Sequence, residues 1–120
     1  MFEDFRNYIE SIKIASIVEG NNTFNYTLYT NSVIVRKKGF AMIHVDFIKD
    51  RVKLDIEFYL REIEKEKNRK EKIEELLIEI NDKKYNATLD FLTFSIHTIM
   101  LRFDKYDEFI KCFDKYILDL

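Results

Sequence analysis

Residues 40–60 read FAMIHVDFIKDRVKLDIEFYL, from Phe40 to Leu60, and their reading decides the fold. Folded about a two-residue turn at Lys49-Asp50, the stretch sets Phe47 against Val52, Val45 against Leu54, Ile43 against Ile56 and Ala41 against Phe58. All these pairs are apolar, and all lie on one face because side chains alternate along a strand. The intervening pairs are Asp46 with Lys53, His44 with Asp55, Met42 with Glu57 and Phe40 with Tyr59. A slip of one residue would put the apolar set opposite polar partners, so the hydrophobic pattern specifies this register.

Working upstream, Ser32–Arg36 reads as a strand joined to Phe40–Ile48 through Lys37-Lys38-Gly39, a three-residue connection with glycine placed for a left-handed backbone. That loop predicts Val33 opposite Ile43 and Val35 opposite Ala41. A further strand, Thr23–Tyr29, turns at Thr30-Asn31 and aligns Leu28 with Val33 and Tyr26 with Val35. Residues 22–60 thus form a four-stranded antiparallel meander.

Working downstream, Leu76, Ile78 and Ile80 alternate before residues 81–84, and Tyr85, Ala87 and Leu89 answer them, which predicts a second β-hairpin. Residues 91–103 read as one further strand or two short ones. Helices bracket the strands. Phe2, Phe5, Ile9 and Ile12 recur at helical spacing, with Gly20 as a stop signal. Asp104 is placed as an N-cap with Asp107 three residues on, ahead of a stripe of Tyr106, Phe109, Ile110, Phe113, Ile117 and Leu120. The fold class is therefore α+β: the meander, a second hairpin or strand region, and N- and C-terminal helices packed on the sheet, all within one domain spanning 1–120.

The 120 residues carry a net charge of −2, with no proline, two glycines and one cysteine. No composition shift marks a linker, and the lone Cys112 excludes an internal disulfide. High Ile, Lys, Asn, Phe and Tyr content points to an AT-rich genome. The near-neutral balance gives no pull toward nucleic acid or an anionic membrane. No start resembling a secretion signal and no membrane-length apolar run are seen, which predicts a cytoplasmic protein.

Little in the chain carries reaction chemistry. His44 with Asp46, Asp55 and Glu57 is a candidate base or half a metal site, but cross-strand charge pairs on a solvated face account for the same residues. His97 and Cys112 invite a nucleophile-and-base reading, against which Cys112 fits as a small packing residue at the edge of the last helix. Residues 61–75 hold six basic and six acidic side chains, anchored only by Ile63 and Ile73, and read as a solvated helix or a charged hairpin tip. No catalytic residue, metal site or cofactor is assigned.

The outer sheet face is the more informative surface. Tyr29, Ile34, Phe40, Met42 and Tyr59 should gather there beside Asp55 and Glu57, an aromatic and methionine cluster with a charged rim. Either a terminal helix covers it, or it is an interface. The expectation is a small cytoplasmic module that binds and neutralises another protein by steric blockade, in the manner of immunity proteins or anti-defence inhibitors. The alternative is a homodimeric scaffold or secretion-type chaperone; the order helix, strands, polar helix, strands, helix resembles that of small acidic secretion chaperones in element order alone. An enzyme centred on His44 comes third, and neither nucleic acid nor membrane is an expected partner.

Overall fold

The computed structural model describes residues 1–18, 24–37, 39–93 and 96–118. Helix α1 (Phe2–Val18) leads into strands β1 (Phe24–Leu28), β2 (Ser32–Lys37), β3 (Ala41–Ile48) and β4 (Arg51–Tyr59). Helices α2 (Leu60–Glu64) and α3 (Lys67–Asn81) then cross to β5 (Asn86–Thr93) and β6 (Ile96–Phe103). Helix α4 (Tyr106–Phe113) closes the chain and runs on as a π-helical segment, Asp114–Leu118. The strands make one six-stranded antiparallel sheet in the order β1-β2-β3-β4-β6-β5.

The β3–β4 hairpin has the register read from its sequence, from Ala41 opposite Phe58 to Phe47 opposite Val52. Lys49 takes a φ of 55°, the positive value that tight hairpin turns need at their first central position. The β1–β2 pairing also matches, with Leu28 on Val33 and Tyr26 on Val35. The expected start of that strand at 22–23, the stop at Gly20 and the end of the last stripe at Leu120 lie outside the described residues.

Three expectations are corrected. Val33 pairs with Val45 and Val35 with Ile43, two residues from the expected partners, because β2 runs on to Lys37 opposite Ala41. Gly39 at φ 81° then sits in the middle of the connection and Phe40 joins the turn, its amide donating to the Lys37 carbonyl at 3.1 Å. A two-residue shift preserves the faces, so the same apolar set remains inside. The hairpin placed on 76–89 does not form. Residues 67–81 are helix α3, burying Ile73, Leu76 and Ile80 while Ile78 is 60% exposed, so helical spacing prevails over the 76/78/80 alternation. The strand following it, β5, pairs with β6 instead. Finally, α4 is capped by Lys105 with no side-chain bond, while Asp104 pairs with Arg51 at 3.4 Å.

Residues 61–75 are helical, broken at Lys65-Glu66, with Glu62–Lys65 at 2.7 Å and Glu66–Arg69 at 3.4 Å along the exposed side. Ile63 and Ile73 are the anchors, 2% and 5% exposed.

All the helices pack on one side of the sheet. Phe5 and Ile9 of α1, Leu76 and Ile80 of α3, and Phe109, Phe113, Tyr116 and Ile117 share a core with Val33, Val45, Phe47, Leu54, Ile56 and Leu101. Phe5 lies 5.2 Å from the rings of both Phe109 and Phe113, and 5.7 Å from Phe47, so the two terminal helices meet each other over the same strands. Such edge-on aromatic pairs add about 0.5–1.5 kcal/mol each beyond burial. The extents of 35 × 35 × 21 Å fit two layers and leave no room for a third.

Candidate protein-interaction face

Two-layer packing leaves the second sheet face without a helix among the described residues. Alternation places on it Thr27 of β1; Ile34 and Arg36 of β2; Met42, His44 and Asp46 of β3; Lys53, Asp55, Glu57 and Tyr59 of β4; and Thr98, Met100 and Arg102 of β6. Tyr29, just past β1, joins them opposite Ser32, whose carbonyl accepts its amide at 2.8 Å.

The register arranges the apolar members in a line. Tyr29 is diagonal to Ile34, Ile34 to Met42 and Met42 to Tyr59, one step per strand in a constant direction. Diagonal neighbours stand about 7–8 Å apart, so the stripe runs about 24 Å obliquely across four strands. On its β1–β2 side lie Asn25, Thr27 and Arg36, with the guanidinium donating to the Thr27 hydroxyl at 3.1 Å. On its β4–β6 side lie His44, Asp46, Asp55 and Glu57, which with Thr98 and Met100 line a shallow groove of about 280 Å³.

Six of the seven expected contact residues therefore reach this face. Phe40 does not. It is 2% exposed, and the Arg69 guanidinium of α3 sits 3.9 Å over its ring. The alternation that would turn Phe40 outward starts only at Ala41, the first residue of β3, so the turn residue is free to rotate under α3.

In the groove, Asp55 accepts from Arg102 at 2.8 Å. Register sets His44 opposite Asp55, yet among the described residues no hydrogen bond joins them, and His44 and Glu57 form no ion pair. The Thr98 hydroxyl is buried beneath the groove without a partner. No group of three or more His, Cys, Asp or Glu side chains among the described residues could hold a metal ion.

A second polar cluster, which the sequence did not suggest, joins α3 to the chain's end. The Glu79 carboxylate accepts from Lys84 at 2.9 Å, Tyr85 at 3.1 Å and Lys115 at 3.2 Å. Burial works to raise its pKa, but the Tyr116 hydroxyl close by, the two ammonium groups and Tyr85 outweigh that and hold it near 2. The Tyr116 hydroxyl is itself buried and completes no hydrogen bond. Beside them Cys112 is 1% exposed, and burial pushes its thiol up to about 12. A thiol so protonated is a packing group and not a nucleophile at neutral pH. Lys84, Tyr85 and Lys115 also border a cavity of about 340 Å³ with Glu108 and Lys111. The sequence carries no local signal for this cluster, because its members are far apart along the chain and the 76/78/80 alternation reads as a strand where α3 stands.

No family model matches this chain, and no curated protein or solved structure shows significant similarity to it. No helix among the described residues is long and apolar enough to cross a membrane.

Proposed function

We propose that this chain is a non-enzymatic, cytoplasmic protein-binding module that lays its open sheet face on a partner protein and neutralises it by steric blockade. The observation that carries the reading is the placement of every described helix on the opposite face, which leaves the Tyr29–Ile34–Met42–Tyr59 stripe unsheltered. Aromatic and methionine anchors with a polar rim are the usual make-up of an interface centre. The small size and net charge of −2 suit an immunity protein or an anti-defence inhibitor, and offer no attraction to nucleic acid or membrane.

Met42 is the discriminating position because it is central to the stripe and contributes nothing to the helix-covered core. Met42→Asp should keep the thermal transition of the parent within about 0.5 kcal/mol of stability, as surface substitutions do. Used side by side as baits, parent and variant should differ in one protein, retained by the parent and lost from the variant. A binding protein retained equally by both would remove this face from the reading.

A further inference from the structure

We infer that the end of the open face around Arg51, Lys53 and Arg102 is a binding site for a small phosphate-bearing molecule. None of its residues belongs to the Tyr29–Tyr59 stripe, so the inference stands apart from the partner-binding reading.

The register builds the site. Lys53 of β4, Arg102 of β6 and Asn86 of β5 are successive partners in one row across three strands. Neighbouring strands lie about 4.8 Å apart, so the ends of the row are about 10 Å apart and converge on a group seated above Arg102. Two residues nearer the end of β4, about 7 Å along it, Arg51 meets Asp104 on one side and stands opposite Ile48 of β3 on the other. These side chains, with Val52, line a cavity of about 310 Å³. Pockets for small ligands begin at about that size.

The cavity holds cationic donors that the chain itself leaves unused. Arg102 gives Nη1 to Asp55 at 2.8 Å and to the Leu101 carbonyl at 2.9 Å, which fixes the guanidinium. Its Nη2 and Nε have no partner among the described residues. Arg51 meets Asp104 through Nε at 3.4 Å, and both side chains are more than three-quarters exposed. So exposed a pair is weak enough for an incoming anion to displace. Lys53 forms no hydrogen bond or ion pair among the described residues; Asp46, opposite it on β3, lines the neighbouring groove beside His44. Asp55 and Asp104 thus offset the two arginines, and the Lys53 ammonium keeps its charge uncompensated within the cavity.

Two guanidinium groups, an ammonium and a carboxamide offer more donors than the two oxygens of a carboxylate can take. They suit the three terminal oxygens of a phosphate, which accept from several directions at once. Ile48, half exposed at the edge of the cavity, gives an apolar wall to the organic part of such a molecule.

The test is a titration of the full chain with phenyl phosphate and with inorganic phosphate, followed by amide NMR shifts. Sodium acetate and sodium chloride at matched ionic strength serve as comparisons. Both phosphates should give saturable shifts clustered at Arg51, Lys53, Asn86 and Arg102, with phenyl phosphate the tighter, and neither comparison salt should. Lys53→Gln and Arg51→Gln should each weaken phenyl phosphate about tenfold, the effect of losing one charge-assisted bond. Their spectra should otherwise overlay on the parent's, since neither side chain enters the core. Ile48→Ser should erase the margin of phenyl phosphate over inorganic phosphate. Shifts spread over the lysines of α3 without saturation would reveal charge screening alone and overturn the inference. Acetate binding as well as phosphate overturns the ligand class, and phenyl phosphate bound no better than the free ion overturns the small molecule. Binding that survives both Gln variants overturns the location. None of these outcomes touches the Met42→Asp comparison, which decides the partner-binding reading by itself.

Discussion

The residue that most repays attention is Phe40. As a turn residue beneath Arg69 it belongs to the core, so Phe40→Ala should cost about 3–4 kcal/mol by urea denaturation. A loss below about 1 kcal/mol would mean that the ring is not packed as described. Glu79 gives a pH signature. Its folded pKa lies near 2, below the ordinary 4.5, so its stabilisation is complete above about 4.5 and is lost as the pH falls toward 2. Glu79→Gln should therefore cost about 1–2 kcal/mol at pH 7, and the gap to the parent should close through that acid window. A gap that stays constant down to pH 2 would show that the hydrogen bonds to Lys84, Tyr85 and Lys115 do not favour the ionised form. At Cys112 the expected outcome is a thiol that a disulfide reagent labels only as fast as the chain unfolds, since both burial and protonation shield it.

At the scale of elements, the informative pair is Ile78 and Ile80. In a strand both would share a face, whereas in α3 they lie about 200° apart and only Ile80 enters the core. Ile78→Lys should thus be within about 0.5 kcal/mol of the parent, while Ile80→Lys should unfold much of the population, as thermal melts would show. Equal damage from both would restore the hairpin. The difference between expected strand and observed helix has a physical cause: three apolar residues at 76, 78 and 80 fit a period of two, and the helical mates of Leu76 and Ile80 include Ile73, which sits inside a charged run. By contrast the β3–β4 register was legible to the residue, because a tight turn and eight alternating positions leave one register without buried charge. The β2–β3 pairing was legible in its faces and two residues off in its partners, since a three-residue loop centred on Gly39 serves as well as one ending there. Gly39→Ala should cost about 1 kcal/mol for the positive φ alone, its new Cβ meeting nothing closer than Glu62 Oε2 at 3.8 Å.

At the scale of the whole molecule, six strands and a single layer of helices make an asymmetric slab, one face built around a phenylalanine cluster and the other an apolar stripe flanked by polar and charged side chains. The chain by itself determined the class of fold, the four-stranded meander, both terminal helices and the inward or outward identity of nearly every strand residue there. It could do so because alternation and helical spacing are local rules, satisfied within a dozen residues. Only the tertiary structure decided that α1 and α4 share one face, that α3 joins them, that β6 enters between β4 and β5, and that Phe40 leaves the outer surface. Those outcomes depend on which apolar faces bury one another across long stretches of chain, as Phe5 does against Phe109 and Phe113. No local pattern distinguishes two sheet faces until the helices have chosen one, and that choice leaves the other without a helix among the described residues.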